Sequence, residues 1–252
     1  MKRIFQTAAL CSLAAWAAAA PAVEPLVYYD FNELGDAIED MSGNGHDGTP
    51  NGNLELSDDA VAGRSFQFDG AGAYVQLERV IGDNFTVMAW IKTDAPQVNL
   101  GANAYQGSGL IWSDVGGVRD DFILAVLGTK LSFFGGNPDT SVNSAEDVTT
   151  GEWTHVAGVR DKDNKKLSIY INGKQVGEKD YPNENTLSAL STIAIGGNVL
   201  DGRWYAGLVD EVKLYDSALN ESDIQKAQTL SVDPSGKAAA VWGRLKARTH
   251  AN

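Results

Sequence analysis

Residues 153–177, WTHVAGVRDKDNKKLSIYINGKQVG, constrain the fold more than any other stretch of the chain. Two runs within it alternate with a period of two. In residues 154–160, His155, Ala157 and Val159 share one face and Val156, Gly158 and Arg160 the other. In residues 167–172, Leu167, Ile169 and Ile171 oppose Ser168, Tyr170 and Asn172. That period, in a segment rich in β-branched and aromatic residues, specifies half-buried antiparallel strands. The polar residues 161–166 supply the first turn. Asn172-Gly173 supplies the second, a two-residue hairpin signal that returns the chain through residues 174–176.

The rest of the chain follows the same logic. Residues 23–31, 85–92, 110–112, 121–127, 130–134, 192–196 and 205–215 read as further strands, and residues 65–69 and 74–77 as a short hairpin about a Gly-Ala-Gly turn. Residues 85–92 carry large apolar groups on both faces, which predicts a central strand. Residues 93–109 form the longest stretch without a strand pattern, and loops of that length are often functional. Asn220 caps a predicted short helix with Glu221 and Asp223 in its first turn, and Leu219, Ile224 and Ala227 press it onto the sheet edge. No internal repeat is visible.

The chain has 252 residues. Its first 22 read as a secretory signal peptide: Lys2 and Arg3, an apolar run over residues 8–20, then small residues before a cut at Val23. This run is too short for a spanning helix, so no membrane insertion is expected. The single cysteine, Cys11, lies inside it, and Leu10 is too bulky beside Cys11 for a lipid-attachment site. A mature chain without disulfides fits an exported bacterial protein. Removing Lys2 and Arg3, and no acidic residue, takes the formal charge from −13 to −15. That sign argues against nucleic acid and anionic membranes as partners. Residues 23–230 are expected to form one domain. Residues 231–252 form a basic tail in which Val241, Trp242 and Leu245 share a helical face. A membrane or partner anchor and a mobile or loosely docked terminus both fit it.

Several motifs carry a family resemblance: W-x-H-V-A followed by L-x-I-Y-I-N-G-K-x-V, Y-x-D-F near the start, D-x-S-G-N-G-x-D-G over residues 40–48, F-x-F-D-G before Tyr74, and V-D-E-V over residues 209–212. In this order they resemble laminin-G-like (concanavalin A-like) domains of bacterial secreted proteins. The resemblance implies an all-β fold, a two-sheet antiparallel jelly-roll sandwich with a short C-terminal helix. It also implies a secreted or cell-surface binding module for a glycan or an extracellular protein ligand. Such domains commonly tie their first and last strands together with calcium, which here points to Asp30, to carbonyls across Ser42, Asn44 and His46, and to Asp210. The acidic balance is compatible with calcium and with neutral glycans. The same loop residues also read as ordinary Asx turns on a solvated rim.

Enzymes on this fold need two carboxylates flanking the cleaved bond. The E-x-D-x-E run that usually supplies them is missing from every predicted strand, and the adjacent Asp210 and Glu211 face opposite ways on a strand. No nucleophilic triad is expected: His155 reads as packing beside tryptophan. The expected protein is therefore not an enzyme. A glycoside hydrolase or polysaccharide lyase, and a protein adhesion or matrix component, are the alternatives. For glycan recognition the expected contacts are Tyr105, Trp112 and Trp204 as aromatic platforms, with Asp114, Arg119 and Asp120 as polar groups. Trp112 lies in a strand-like run, where a large aromatic also reads as core.

Overall fold

The structure, a computed structural model, describes residues 23–229. The expected signal peptide with Cys11, and the basic tail, lie outside the described residues. The strands are β1 (Val27–Tyr29), β2 (Thr49–Asn51), β3 (Glu55–Ser57), β4 (Ser65–Asp69), β5 (Tyr74–Glu78), β6 (Phe85–Lys92), β7 (Ser108–Ser113), β8 (Phe122–Leu127), β9 (Lys130–Gly135) and β10 (Thr140–Asp147). They continue as β11 (Thr154–Asp161), β12 (Lys166–Ile171), β13 (Lys174–Asp180), β14 (Thr192–Ile195), β15 (Gly197–Asn198), β16 (Arg203–Trp204) and β17 (Ala206–Tyr215), and a helix α1 (Glu221–Gln228) follows.

Among the described residues fifteen of these strands make an antiparallel two-sheet sandwich, and β15 and β16 pair with each other. The first sheet has eight strands in the order β13-β12-β11-β6-β17-β4-β3, with β1 also on β17. The second has seven, in the order β10-β9-β8-β7-β14-β5-β2. The 153–177 meander supplies β11, β12 and β13 as expected. Asn172 (φ 49°) and Gly173 (φ 75°) take the left-handed backbone that their two-residue turn demands. Strand β6 is central, between β11 and β17. The faces between the sheets are apolar. Phe85 of the first sheet meets Phe122 and Phe133 of the second at 4.7 and 6.2 Å between ring centroids. A Cβ at Gly158 would lie 2.7 Å from the Phe133 ring, so β11 gives up a side chain where that ring enters.

Three expectations change. Residues 65–69 and 74–77 are strands but not a hairpin. β4 pairs with β3 and β17, whereas β5 pairs with β2 and β14 in the other sheet. The Gly70–Gly72 turn crosses between sheets, held by the Asp69 carboxylate, which accepts from the Ala71 and Ala73 amides at 2.8 and 3.1 Å. Strand β10, TSVNSAED, went unread because its small polar residues give no apolar alternation. Helix α1 lies on the outer face of the eight-stranded sheet rather than at its edge. Leu219 and Ile224 bury against Met88, Ala157, Val159, Tyr170 and Tyr215, which explains why Ala157 and Val159 are also shielded from solvent. Asn220 caps the helix as expected, its side-chain oxygen accepting from Asp223 N at 3.1 Å.

Arg160 is fully buried at the end of β11. Its guanidinium donates to the carbonyls of Gly82, Asp83 (3.2 Å), Asn183 (3.0 Å) and Asn185 (2.7 Å), and lies over the Tyr181 ring. It ties the loop before β6 to the 182–191 segment that leads into β14.

Candidate functional site

The outer face of the seven-stranded sheet gathers most of the residues expected to meet a ligand. Strand alternation fixes which ones. Gln76, Ala194, Trp112, Ile123, Phe134 and Ser141 are opposed in register across β5, β14, β7, β8, β9 and β10, so they share one face. Tyr74 stands on the same face two residues from Gln76. Tyr105, in a 3-10 turn over Ala104–Gln106, packs edge-on against Phe134 at 5.1 Å.

The β15–β16 hairpin folds over this face. A Cβ at Gly109 of β7 would lie 2.9 Å from Asn198 N, so only glycine lets the hairpin approach so closely. Trp204 then stacks on Tyr74, with centroids 5.8 Å apart and planes 24° apart, and both rings stay half-exposed. Gly197 holds this geometry, because a Cβ there would lie 2.2 Å from the Trp204 ring. Arg203, beside Trp204, is paired with Asp201, whose carboxylate also accepts from Asn198 Nδ2 at 3.2 Å. The arrangement is a fixed aromatic platform edged by charged and amide groups, suited to the apolar face and hydroxyls of a sugar ring.

The other expected ligand residues are placed as follows. Trp112 is 3 % exposed and floors the face beneath the hairpin. It is not a surface platform, because β15 and Val199 cover it. Asp114 is buried at the end of β7, beside Arg203 and Asp201. Its carboxyl lies within hydrogen-bonding reach of the buried Asp121 carboxyl. Burial, and then the charge of its partner, push Asp121 up to about 8, and burial raises Asp114 as well. Arg119 is exposed on the 115–120 loop. Asp120 faces away from the platform and accepts from the side-chain amides of Asn137, Asn183 and Asn185 at 2.9–3.2 Å, which tie the loops together.

The residues expected to hold calcium lie around the 40–48 loop and at β17. Asp40 organises the 40–48 loop: its carboxylate accepts from the amides of Tyr28, Ser42 and His46 and from the Ser42 hydroxyl. Burial opposes its charge, but these donors hold it below the usual carboxylate range. Ser42 and Asn44 donate to the Leu26 carbonyl, each at 3.0 Å, and the His46 carbonyl accepts from Tyr29 Oη at 2.5 Å. Asp30 accepts from the Asn32 amide at 3.2 Å. Asp210 accepts from the amides of Val61, Ala62 and Glu211 at 2.8–3.1 Å. N–H donors occupy the Asp40 and Asp210 carboxylates in this arrangement. Among the described residues no group of three or more His, Cys, Asp or Glu converges to hold a metal. A cleft of about 260 Å³ opens nearby between β1 and α1, lined by Pro25, Tyr28, Ser42, Lys213 and Lys226. Within it Tyr28 Oη and Lys213 Nζ are paired with Glu211.

Sequence reasoning missed Tyr74, Arg203 and Asp121. Tyr74 was legible as the outward partner of Val75 in the Y-V-Q-L alternation. Arg203 and Asp121 join the site only through the folding of the hairpin and the β7–β8 connection, which no local pattern encodes.

The fold has known counterparts. Domain 4 of AbnA, a GH43 extracellular arabinanase from Geobacillus stearothermophilus in complex with arabinotriose, superimposes with a TM-score of 0.63 at 21 % identity, covering 82 % of this chain and 99 % of that one. The binding domain of Paraclostridial Mosquitocidal Protein 1 gives 0.61 at 16 % identity, covering 81 % of this chain and 51 % of that one. The binding domain of Botulinum Neurotoxin DC in complex with SialylT gives 0.61 at 15 % identity, covering 83 % and 53 %. The chain thus spans about half of each toxin domain, and at these identities the likeness is one of fold. No curated protein sequence matches the chain. Residues 69–225, from the sheet-crossing turn to α1, match the laminin-G-like family described as the concanavalin A-like lectin/glucanases superfamily, and the chain belongs to that family.

Proposed function

We propose that the protein is a non-catalytic glycan-binding module whose ligand lies on the Tyr74–Trp204 platform. One observation carries this reading: two half-exposed rings held in a stack by backbone that only glycine allows, beside Arg203, Asp201 and Asn198. The arabinanase domain in complex with arabinotriose and the toxin domain in complex with SialylT support it as relatives in fold. The negative charge favours a neutral glycan over an anionic one. A catalytic role is not part of the proposal. Asp114 and Asp121 lie too close together and too deep to flank a sugar bond, which in retaining enzymes needs carboxylates about 5–5.5 Å apart. Export is proposed with it, on the basic start and apolar run of residues 1–22.

The test is binding of the full chain to a glycan panel, in calcium and again in chelator, beside Trp204→Ala. Specific binding that weakens about three- to tenfold in the variant, the scale of one aromatic contact, supports the platform. Binding lost on chelation would make calcium part of the site. No binding to any glycan would overturn the reading in favour of a protein ligand. That second reading is favoured by Leu100, Val118 and Leu200, which stand 60–67 % exposed on loops joined to the seven-stranded sheet.

A further inference from the structure

We propose that Asp114 and Asp121 share one proton, that this proton fastens the 115–120 loop and the β15–β16 hairpin over the outer face, and that its loss loosens them and weakens binding at the platform. The last step rests on the glycan-binding reading; the proton-sharing pair does not.

The geometry calls for the proton. Both residues are buried, Asp114 at 6 % and Asp121 at 1 % exposure. Asp121 Oδ2 accepts from Val115 N at 3.0 Å and so anchors the start of the loop. Asp121 Oδ1 is buried with no N–H or O–H donor. A Cβ at Gly136, in the connection from β9 to β10, would come within 2.2 Å of it, so the backbone there packs directly against the carboxyl. The Asp114 carboxyl lies within hydrogen-bonding reach of the Asp121 carboxyl, and two carboxylates have no hydrogen between them. With one proton present, an O–H of one carboxyl donates to the other and two buried charges become one.

No cation nearby takes over this role. Arg203 faces Asp114 from the hairpin but is engaged by Asp201, whose own charge opposes ionisation of Asp114. Arg79 faces Asp121 from the end of β5, yet it donates to the carbonyls of Leu187 and Leu190 and to Ser113 Oγ. Asp139, from the β9–β10 turn, adds a further negative charge beside Asp121, and the Tyr181 ring carries none at neutral pH. Burial and these charges together push Asp121 up to about 8. The folded value lies above the unfolded one. The stabilisation is therefore complete below about pH 4 and is lost as pH rises through about 8. The loop that Val115 anchors carries Gly116, Gly117, Val118 and Arg119, all exposed, and the hairpin that faces Asp114 carries Trp204.

The test is a carboxyl ¹³C NMR titration of the full chain, with Asp114→Asn and Asp121→Asn as separate assigning variants, alongside glycan affinity measured at pH 6.5 and 9.5. The expected result is one carboxyl of the pair titrating near 8, with the Val115 amide and Trp204 indole resonances shifting in the same step. Affinity should fall about tenfold per pH unit above the transition, and this dependence should flatten in Asp121→Asn. If both carboxyls titrate below about 5, or if the Val115 and Trp204 signals stay fixed through the transition, the pair does not fasten the face and the proposal is wrong. Equal glycan affinity at both pH values would refute control of the platform while leaving glycan binding intact. Absence of glycan binding at every pH would refute the binding reading, and the titration would still decide the pair.

Discussion

Replacing Arg160 with methionine tests how the loops beside the platform are held. The side chain is fully buried, and two of its four acceptors, the carbonyls of Gly82 and Asn183, are buried with it. The carbonyls of Asp83 and Asn185 belong to exposed residues and can turn to water. Methionine fills much of the same volume but donates nothing, so the two buried acceptors lose a charged partner. Each such loss costs about 1–3 kcal/mol, and removal of the desolvated guanidinium returns part of that. The expected destabilisation is about 3 kcal/mol, or a fall of about 6–12 °C in Tm for a domain of this length. Urea titration followed by far-UV circular dichroism measures it. Amide exchange should rise first at Leu187, whose N–H donates to the same Gly82 carbonyl at 2.9 Å. A loss below about 1 kcal/mol, with Leu187 still protected, would refute the view that this arginine holds the 182–191 segment.

Two further substitutions separate platform from fold. Gly197→Ala puts a methyl group where the Trp204 ring lies, so glycan binding should fall at least as far as in Trp204→Ala while the far-UV spectrum is retained. A full-affinity Gly197→Ala protein would show that the stack is not the contact. Asn220→Ala removes the cap of α1 and should cost about 1 kcal/mol in urea titration, leaving glycan affinity unchanged because α1 covers the opposite sheet. A change in affinity would place the ligand on that sheet instead.

What could be read from sequence follows how local each signal is. The meander of residues 153–177, central β6 and the Asn220 cap depend on period, turn chemistry and a side chain three residues from its partner, so they stand as read. The sandwich itself was legible from the order of the motifs. The corner at Gly70–Gly72 looks from sequence like any tight turn. Whether it pairs its flanking strands or sends them to different sheets is decided by β17 and β14, more than a hundred residues later. Trp204 was named for the platform, but its partner Tyr74 was not, because the two meet only when the Gly-rich 196–202 segment folds as a hairpin. Trp112 and Trp204 are alike in composition and differ in role because that hairpin covers one and presents the other. Asp114 was read as a surface contact for the same reason. Its true neighbour, Asp121, reads from sequence only as the first residue of the 121–127 strand.

The position of β17 governs the order in which this molecule can be made. It is a late strand in sequence yet an inner strand in space, set between β6 and β4 with β1 on it as well. Until about residue 215 has been synthesised, β6 and β4 each carry an open edge, and the eight-stranded sheet exists only as two paired pieces and a lone β1. At about 5–20 residues per second the chain spends roughly 6–25 s, from the end of β6 to the end of β17, in that incomplete state. Contacts so distant in sequence close slowly, and open edges invite pairing with other chains. The protein is therefore most exposed to misassembly during its own synthesis, and a fragment ending before residue 206 would keep those edges open permanently.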